Sequence, residues 1–200
     1  MMDKKEILKD IPDKNKNIWT RWSTSLKFKE DLIDFLGDDF LDKTVFEIGT
    51  HYGLTTRVFS FLFKKVITVD NNPSFVSAAR EINIDRNNIE YLQGDIYEFG
   101  AFDEFTEKVD AVFIDAVHKY RYVLMDTINS LKTFKDIYLI YDDYGLAEQV
   151  KKAVDDCLEL GIIEFVDYIG HDKGIDIKTD GKNHRLQDRE GIICKSRSKK

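Results

Sequence analysis

The chain has 200 residues, 42% of them hydrophobic and 12% aromatic, and carries a net charge of −7. That suits one globular domain with a real core. The acidic balance argues against a general nucleic-acid binder, and no apolar run approaches the roughly 18 residues of a membrane span. The N-terminus, Met1-Met-Asp-Lys-Lys-Glu, lacks the apolar core of a signal peptide. Cys157 and Cys194 form no CxxC pair and read as reduced thiols, so a cytoplasmic location is expected. Lys195-Ser-Arg-Ser-Lys-Lys200 reads as a frayed, solvated tail.

In chain order, residues 26, 28, 32, 33, 35 and 36 give an amphipathic helical face that packs on a core. Val45-Phe-Glu-Ile is a short apolar strand, followed by a glycine turn, a helix, and the strand Val66-Ile-Thr-Val. Pro73 sits near the first turn of the next helix. Ile89–Leu92 and Val109–Asp115 read as strands. Tyr120 to Phe134 has helical spacing, and Ile137–Tyr141 is a further buried strand. Leu146 to Leu160 is helical, with Gly161 at its C-terminal cap. Ile162–Ile169 and Gly191–Cys194 are closing strands, separated by a charged loop over 170–190. Continuous apolar strands alternating with helices predict an α/β fold with a mostly parallel sheet covered on both faces.

Gly49 and Gly53 let the backbone turn tightly and approach a ligand. Asp70 ends the next strand, about where a ribose-binding acid stands in such folds. The spacing Glu47-x-Gly49-x-x-x-Gly53 is not the G-x-G-x-x-G of dinucleotide sites, and His51-Tyr52 makes the loop bulky for a pyrophosphate. It resembles motif I of the class I S-adenosylmethionine (SAM)-dependent methyltransferases. That resemblance implies a Rossmann-like, seven-stranded sheet with an antiparallel closing strand. The loop would face the methionine half of SAM, Asp70 the ribose and Asp95 the adenine. The implied cofactor set is Glu47, Gly49, Thr50, His51, Gly53, Thr55, Asp70, Asn71, Asp95, Ile96 and Asp115. The Thr55 hydroxyl is expected to satisfy a free N–H in the first turn of its helix. The competing reading of the glycines is a turn that merely packs a helix on the sheet.

In a parallel sheet, ligands bind beyond the carboxyl ends of the strands, where Asp70, Asp95, Asp115, Asp142 and Asp143 fall. Each could instead cap a helix or a turn. Asp115, Asp142 and Asp143, brought together without a cation, would raise one another's pKa values. A hard divalent ion, magnesium, manganese or calcium, relieves this. His118, three residues after Asp115, can reach the same pocket as a base or can cap the helix starting near Lys119.

The pattern Ile-Asp-x-x-His-x-Tyr, the helix with Val123 and Asp126, and Asp-Asp-Tyr after the next strand resemble the metal-dependent small-molecule O-methyltransferases, over roughly residues 43–160. These include the catechol type and the macrocin and macrolide-sugar type. The sugar type implies a metal, magnesium for preference, on Asp115, Asp142 and Asp143, with His118 as catalytic base. The departures are a short segment before the first strand, and a 170–190 loop that matches no known substrate pocket. The expected division is an N-terminal helical segment or lid, 1–42, and a methyltransferase domain, 43–200.

Trp19, Arg21 and Trp22 either fold over the substrate, staple the segment to the domain, or make a homodimer contact. His171 and His184 read as solvent-facing loop residues. The leading function is O-methylation of a hydroxyl on a small molecule, a sugar or glycosylated metabolite. The alternatives are methylation of a macromolecule and non-catalytic SAM binding.

Overall fold

The computed structural model describes residues 3–11, 23–98, 101–102, 105–179 and 182–197. Two short helices come first, α1 (Lys4–Asp10) and α2 (Leu26–Leu36), and a 3-10 turn at Gly37–Phe40 leads into β1 (Thr44–Ile48). The alternation then runs α3 (Leu54–Leu62), β2 (Lys65–Asp70), α4 (Pro73–Ile82), β3 (Ile89–Gln93), β4 (Ala111–Ile114), α5 (Tyr120–Thr133), β5 (Tyr138–Tyr141) and α6 (Glu148–Glu159). Four strands close the chain: β6 (Ile163–Ile169), β7 (Asp176–Thr179), β8 (Lys182–Arg185) and β9 (Gly191–Ser196).

Seven strands form one sheet in the order β3-β2-β1-β4-β5-β9-β6. β1 to β5 pair in parallel, while β9 runs antiparallel to both β5 and β6. The closing antiparallel strand is thus wedged between β5 and β6 and does not form an edge. Its register pairs Lys195 with Tyr138, and Lys195 Nζ lies 3.5 Å from a carboxylate oxygen of Glu164. Lys195 and Ser196 are therefore strand residues rather than frayed tail. The 170–190 stretch also departs from a plain loop, because β7 and β8 form a separate antiparallel hairpin within it.

The central strands are apolar throughout because alternate residues serve opposite faces. Val45, Val66, Ala111, Phe113 and Ile140 pack with α2 and α3 on one face. Phe46, Ile67, Val112, Ile114 and Leu139 pack with α5 and α6 on the other. The predicted α2 face buries Phe28, Leu32, Ile33 and Leu36 against the first of these clusters. α1 is held by Arg57, which is 8% exposed and binds Asp10 at 2.7 Å and Asp85 at 2.9 Å. Trp19, Arg21 and Trp22 lie outside the described residues.

Glu190, which is 2% exposed, joins the start of α2 to the closing strands. Its carboxylate accepts from Ser25 N at 3.1 Å, Ser25 Oγ at 2.7 Å and His171 N at 2.9 Å. Ser25 in turn caps α2 by accepting from Phe28 N at 3.0 Å. Glu190→Ala strands these buried donors. We expect a loss of about 2–3 kcal/mol in unfolding free energy, measured by urea denaturation.

Asp126 on α5 is fully buried, and burial pushes its carboxyl up to about 7 despite the hydrogen bond from Tyr97 OH. The folded protein therefore holds a proton that the unfolded chain has released between about pH 4 and pH 7. Over that window this group's contribution to stability falls as pH rises, by up to about 1.4 kcal/mol per pH unit. Asp126→Asn stays neutral. Its stability relative to the parent protein should therefore rise from pH 5 to pH 7.5 in paired urea titrations.

Candidate active site

The parallel register sets β1, β2, β4 and β5 to end at one edge, with Ile48 beside Val69 and Ile114, and Ile114 beside Tyr141. The residues that follow are Gly49, Asp70, Asp115 and Asp142, and Asp95 follows β3 next door. The strand order reverses between β1 and β4, the place where α/β sheets open a crevice. A cavity of about 540 Å³ opens there. Gly49, His51, Asp70, Asn71, Asp95, Ile96, Asp115, His118, Asp142 and Asp143 all line it. A smaller recess beside it is lined by Glu47, Thr50, Gly53 and Thr55, with Gly49, His51 and Asp115 shared. The structure thus brings every residue named for the cofactor, the metal and the base to two adjoining hollows.

Gly49 makes this convergence possible. Its φ is +102°, and a Cβ there would stand 2.4 Å from the backbone oxygen of Asp115. Only glycine lets the loop after β1 touch the loop after β4. Gly49 N and Thr50 N both donate to Val69 O, at 3.0 and 3.2 Å. Beneath the loop, Glu47 is buried and accepts from Thr56 Oγ1 at 2.5 Å and Thr68 Oγ1 at 2.6 Å, and the Thr68 hydroxyl also meets that of Thr50 at 2.6 Å. Burial outweighs these hydrogen bonds and pushes the Glu47 carboxyl up to about 8.

Asp70 steadies the loop after β1. It accepts from His51 N at 2.8 Å and from Asn72 N at 2.9 Å. His51, at φ +46°, stacks with Tyr52 and Phe75, ring centroids 4.2 and 4.4 Å away. The bulky loop therefore forms an aromatic cluster, and His51 and Phe75 both line the cavity. Asp95 accepts from Tyr97 N at 2.9 Å, an Asx turn that fixes the end of β3. The Thr55 hydroxyl meets that of Thr24 at 3.3 Å, so it joins α3 to the segment before α2 rather than capping its own helix.

At the other end, His118 stands between two carboxylates. Its Nε2 lies 3.1 Å from Asp115 Oδ1 and its Nδ1 2.9 Å from Asp143 Oδ2. The ligand-type atoms of Asp115, His118 and Asp143 lie within 4.8 Å of one another. Burial alone would lower the imidazole's proton affinity, but the two carboxylates outweigh it and hold the ring up at about 11. The ring keeps 40% of its exposure, so solvent screens part of this effect. Asp115 is raised, first by burial and then by Asp143, with His118 acting against both. Asp142 is raised well above the carboxylate range by burial and by Asp115, Asp143 and Glu190, and its Oδ1 is buried without a hydrogen-bond partner among the described residues. The next helix is capped by Lys119 backbone, so His118 serves the acid cluster and not a helix end.

Sequence reasoning missed Ser23, Phe75, Tyr97, Leu146, Ala147 and His184, which complete the cavity wall. Phe75 and Tyr97 follow close on Asn72 and Asp95 and could have been drawn in by proximity. His184, expected to face solvent, comes from β8 and had no local signal.

The family model described as a methyltransferase domain matches residues 46–144. No curated protein matches the sequence. Among solved structures, the O-methyltransferase TomG from Streptomyces achromogenes, involved in tomaymycin synthesis and bound to SAM, is similar with a TM-score of 0.69 and 14% identity, covering 96% of this chain and 90% of that one. An O-methyltransferase from Bacillus cereus bound to SAH has a TM-score of 0.65 and 16% identity, covering 97% and 90%. Fibrillarin from Aeropyrum pernix, with natively bound SAM, has a TM-score of 0.58 and 15% identity, covering 78% and 68%. A methyltransferase domain is thus matched over residues 46–144 on this seven-stranded frame, and the chain resembles the class I SAM-dependent methyltransferases, among them the small-molecule O-methyltransferases.

Proposed function

We propose that the protein transfers the methyl group of SAM to a hydroxyl of a small molecule, with a divalent cation at the acid cluster. The observation that carries this reading is that Asp115, His118, Asp142 and Asp143 share one cavity with Gly49, Asp70 and Asp95. The cofactor's ribose would lie at Asp70 and Asn71, and its adenine at Asp95 and Ile96. Its methionine half would lie over Gly49, Thr50 and the start of α3, whose first N–H groups have no side-chain cap. Glu47 and Thr55 would back that half from the smaller recess.

The donor set fits a hard cation. Asp115, Asp142 and Asp143 would hold it, and the unpartnered Asp142 Oδ1 is an acceptor awaiting a positive charge. Such a cation would lower the pKa of an acceptor hydroxyl, and Asp115 and Asp143, once engaged with it, would loosen their hold on the His118 proton. The two carboxylates favour a protonated His118, so it acts as a base only once those carboxylates are engaged elsewhere. The chemistry is a displacement: the acceptor oxygen forms a bond to the methyl carbon as the S–CH3 bond breaks. The hydroxyl proton passes to the imidazole, and SAH leaves as the neutral thioether. The sulfonium is already activated, so the residues mainly align and deprotonate.

The likeness to fibrillarin keeps a macromolecular acceptor in view. The net charge of −7 and a cavity of about 540 Å³ favour a small one.

Calorimetry on metal-stripped protein tests the cofactor and the cation separately. SAM should bind without metal, and Mg²⁺ should then bind the SAM complex but not the complex of Asp142→Ala. SAM binding with no Mg²⁺ binding in the parent protein would remove the metal from this reading. His118→Ala should keep SAM affinity while lowering methyl transfer to a hydroxyl acceptor by at least about 100-fold, read as SAH formation. Unchanged turnover would exclude His118 as the proton acceptor.

A further inference from the structure

One charged side chain is buried in the apolar face of α2. Lys29 takes the helical spacing of that face, ahead of Leu32, Ile33 and Leu36, and is 1% exposed. Its Nζ donates to Ser23 Oγ at 2.8 Å, to Thr24 O at 2.6 Å and to Thr24 Oγ1. Three donations call for an ammonium, because a neutral amine has only two N–H groups. Burying that charge is costly unless it is well engaged, and an apolar residue would complete the face without it. These three bonds all reach the segment just before α2, which points to a task for that segment.

The segment lies against the binding hollows. Ser23 borders both the larger cavity and the smaller recess, a double position it shares with Gly49, His51 and Asp115. Thr24 Oγ1 meets the hydroxyl of Thr55, which stands in the first turn of α3 and borders the recess. Ser25 is fastened by Glu190, so three successive residues are held. Asp70, Asn71, Asp95 and Ile96 border the larger cavity alone. Lys29 therefore braces the wall at the junction of the hollows, where the amino-acid half of the cofactor would lie, and not the adenosine end. The junction carries both signs of charge: Glu47 and Asp115 border the recess, and the ammonium stands one hydrogen bond behind Ser23. An α-amino acid carries the same two charges in one group, so the two are complementary.

We propose that Lys29 is a positioning residue for the amino-acid half of the cofactor: through Ser23 and Thr24 it sets the wall against which that half lies. It governs affinity for that half and not for adenosine. This rests on the SAM-binding part of the reading above and adds to it a residue of α2, outside the loops at the strand ends. The ammonium also polarises the two hydroxyls it donates to, which strengthens them as donors.

The test is calorimetric titration of SAH and of 5′-methylthioadenosine into the parent, Lys29→Met and Ser23→Ala. The second ligand keeps the adenosine and the thioether sulfur but lacks the amino-acid half. Lys29→Met keeps an apolar stem in the face of α2 and removes the ammonium. It should weaken SAH about 10-fold or more and leave 5′-methylthioadenosine within about 2-fold of the parent. Ser23→Ala removes one acceptor and leaves Lys29 in place. It should weaken SAH about 3-fold or more, again without moving 5′-methylthioadenosine, and it decides the matter if Lys29→Met fails to fold. Unchanged SAH affinity in Lys29→Met, or in Ser23→Ala where that variant decides, overturns the role of Lys29 and leaves the methyltransferase reading standing. Equal losses of both ligands overturn it too, by giving Lys29 a structural task for the whole cavity. No binding of 5′-methylthioadenosine by the parent overturns the proposed division between the two halves. No binding of SAH by the parent overturns the cofactor reading and the role of Lys29 with it.

Discussion

The contact between Gly49 and the backbone of Asp115 is the constraint on which the site depends. It lies where the strand order reverses, between β1 and β4, and it closes only because position 49 has no Cβ. With that contact made, the loop after β1 and the acids after β4 and β5 open into one cavity rather than two clefts. The buried chain Thr50–Thr68–Glu47–Thr56 supports the loop from below, linking β1, β2 and α3 through hydroxyls that are themselves within the fold. A larger residue at position 49 would separate the residues proposed for the methyl donor from those proposed for the acceptor.

The same convergence concentrates like charge. Asp115, Asp142 and Asp143 come together at the ends of two adjacent strands, and Glu47 lies buried behind the loop. Burial and mutual repulsion raise Asp115, Asp142 and Glu47. His118, threaded between Asp115 and Asp143, is raised by both carboxylates and, when protonated, balances part of their charge. Groups held this way cost stability, and the two apolar clusters on either face of the sheet offset it. The arrangement is suited to cationic ligands: a sulfonium near the loop and a metal ion at the acids would each restore carboxylates to their ordinary charged form.

Much of the frame was legible because it is written locally. Val45-Phe-Glu-Ile, Val66-Ile-Thr-Val and Ile137–Tyr141 are apolar runs that suit strands buried on both faces, and the acids that end them are adjacent letters. Pro73 and Gly161 marked helix ends through fixed backbone preferences, with Asn72 capping α4 and Gly161 at φ +63° past α6. What was not legible depends on contacts far apart in sequence. Nothing in Gly191–Ser196 says that it inserts between β5 and β6. Asp-Ile-Lys-Thr and Lys-Asn-His-Arg are too polar to announce a hairpin, so His184 was assigned to solvent. Glu190 carries no local signal of burial, because the Ser25 that binds its carboxylate lies 165 residues earlier. Thr55 was given a helix-capping role by position alone, whereas Thr24 took its hydroxyl.

The two ends of the cavity have different origins in the chain. The residues from Glu47 through Asp143 proposed for the cofactor and the metal fall within the span 46–144 that matches the methyltransferase family. Of the remaining wall, Ser23, Leu146, Ala147 and His184 lie outside it. These outer parts reach the site through specific anchors: Glu190 fixes Ser25 two residues from Ser23, and Gly145 with the Lys151–Asp188 pair fixes the hairpin that carries His184. Methyl-donor chemistry demands a set geometry, which the shared span supplies. The wall residues outside the matched span are therefore those that motif reading is least able to find, because their positions are set by contacts between distant parts of the chain rather than by spacing along it.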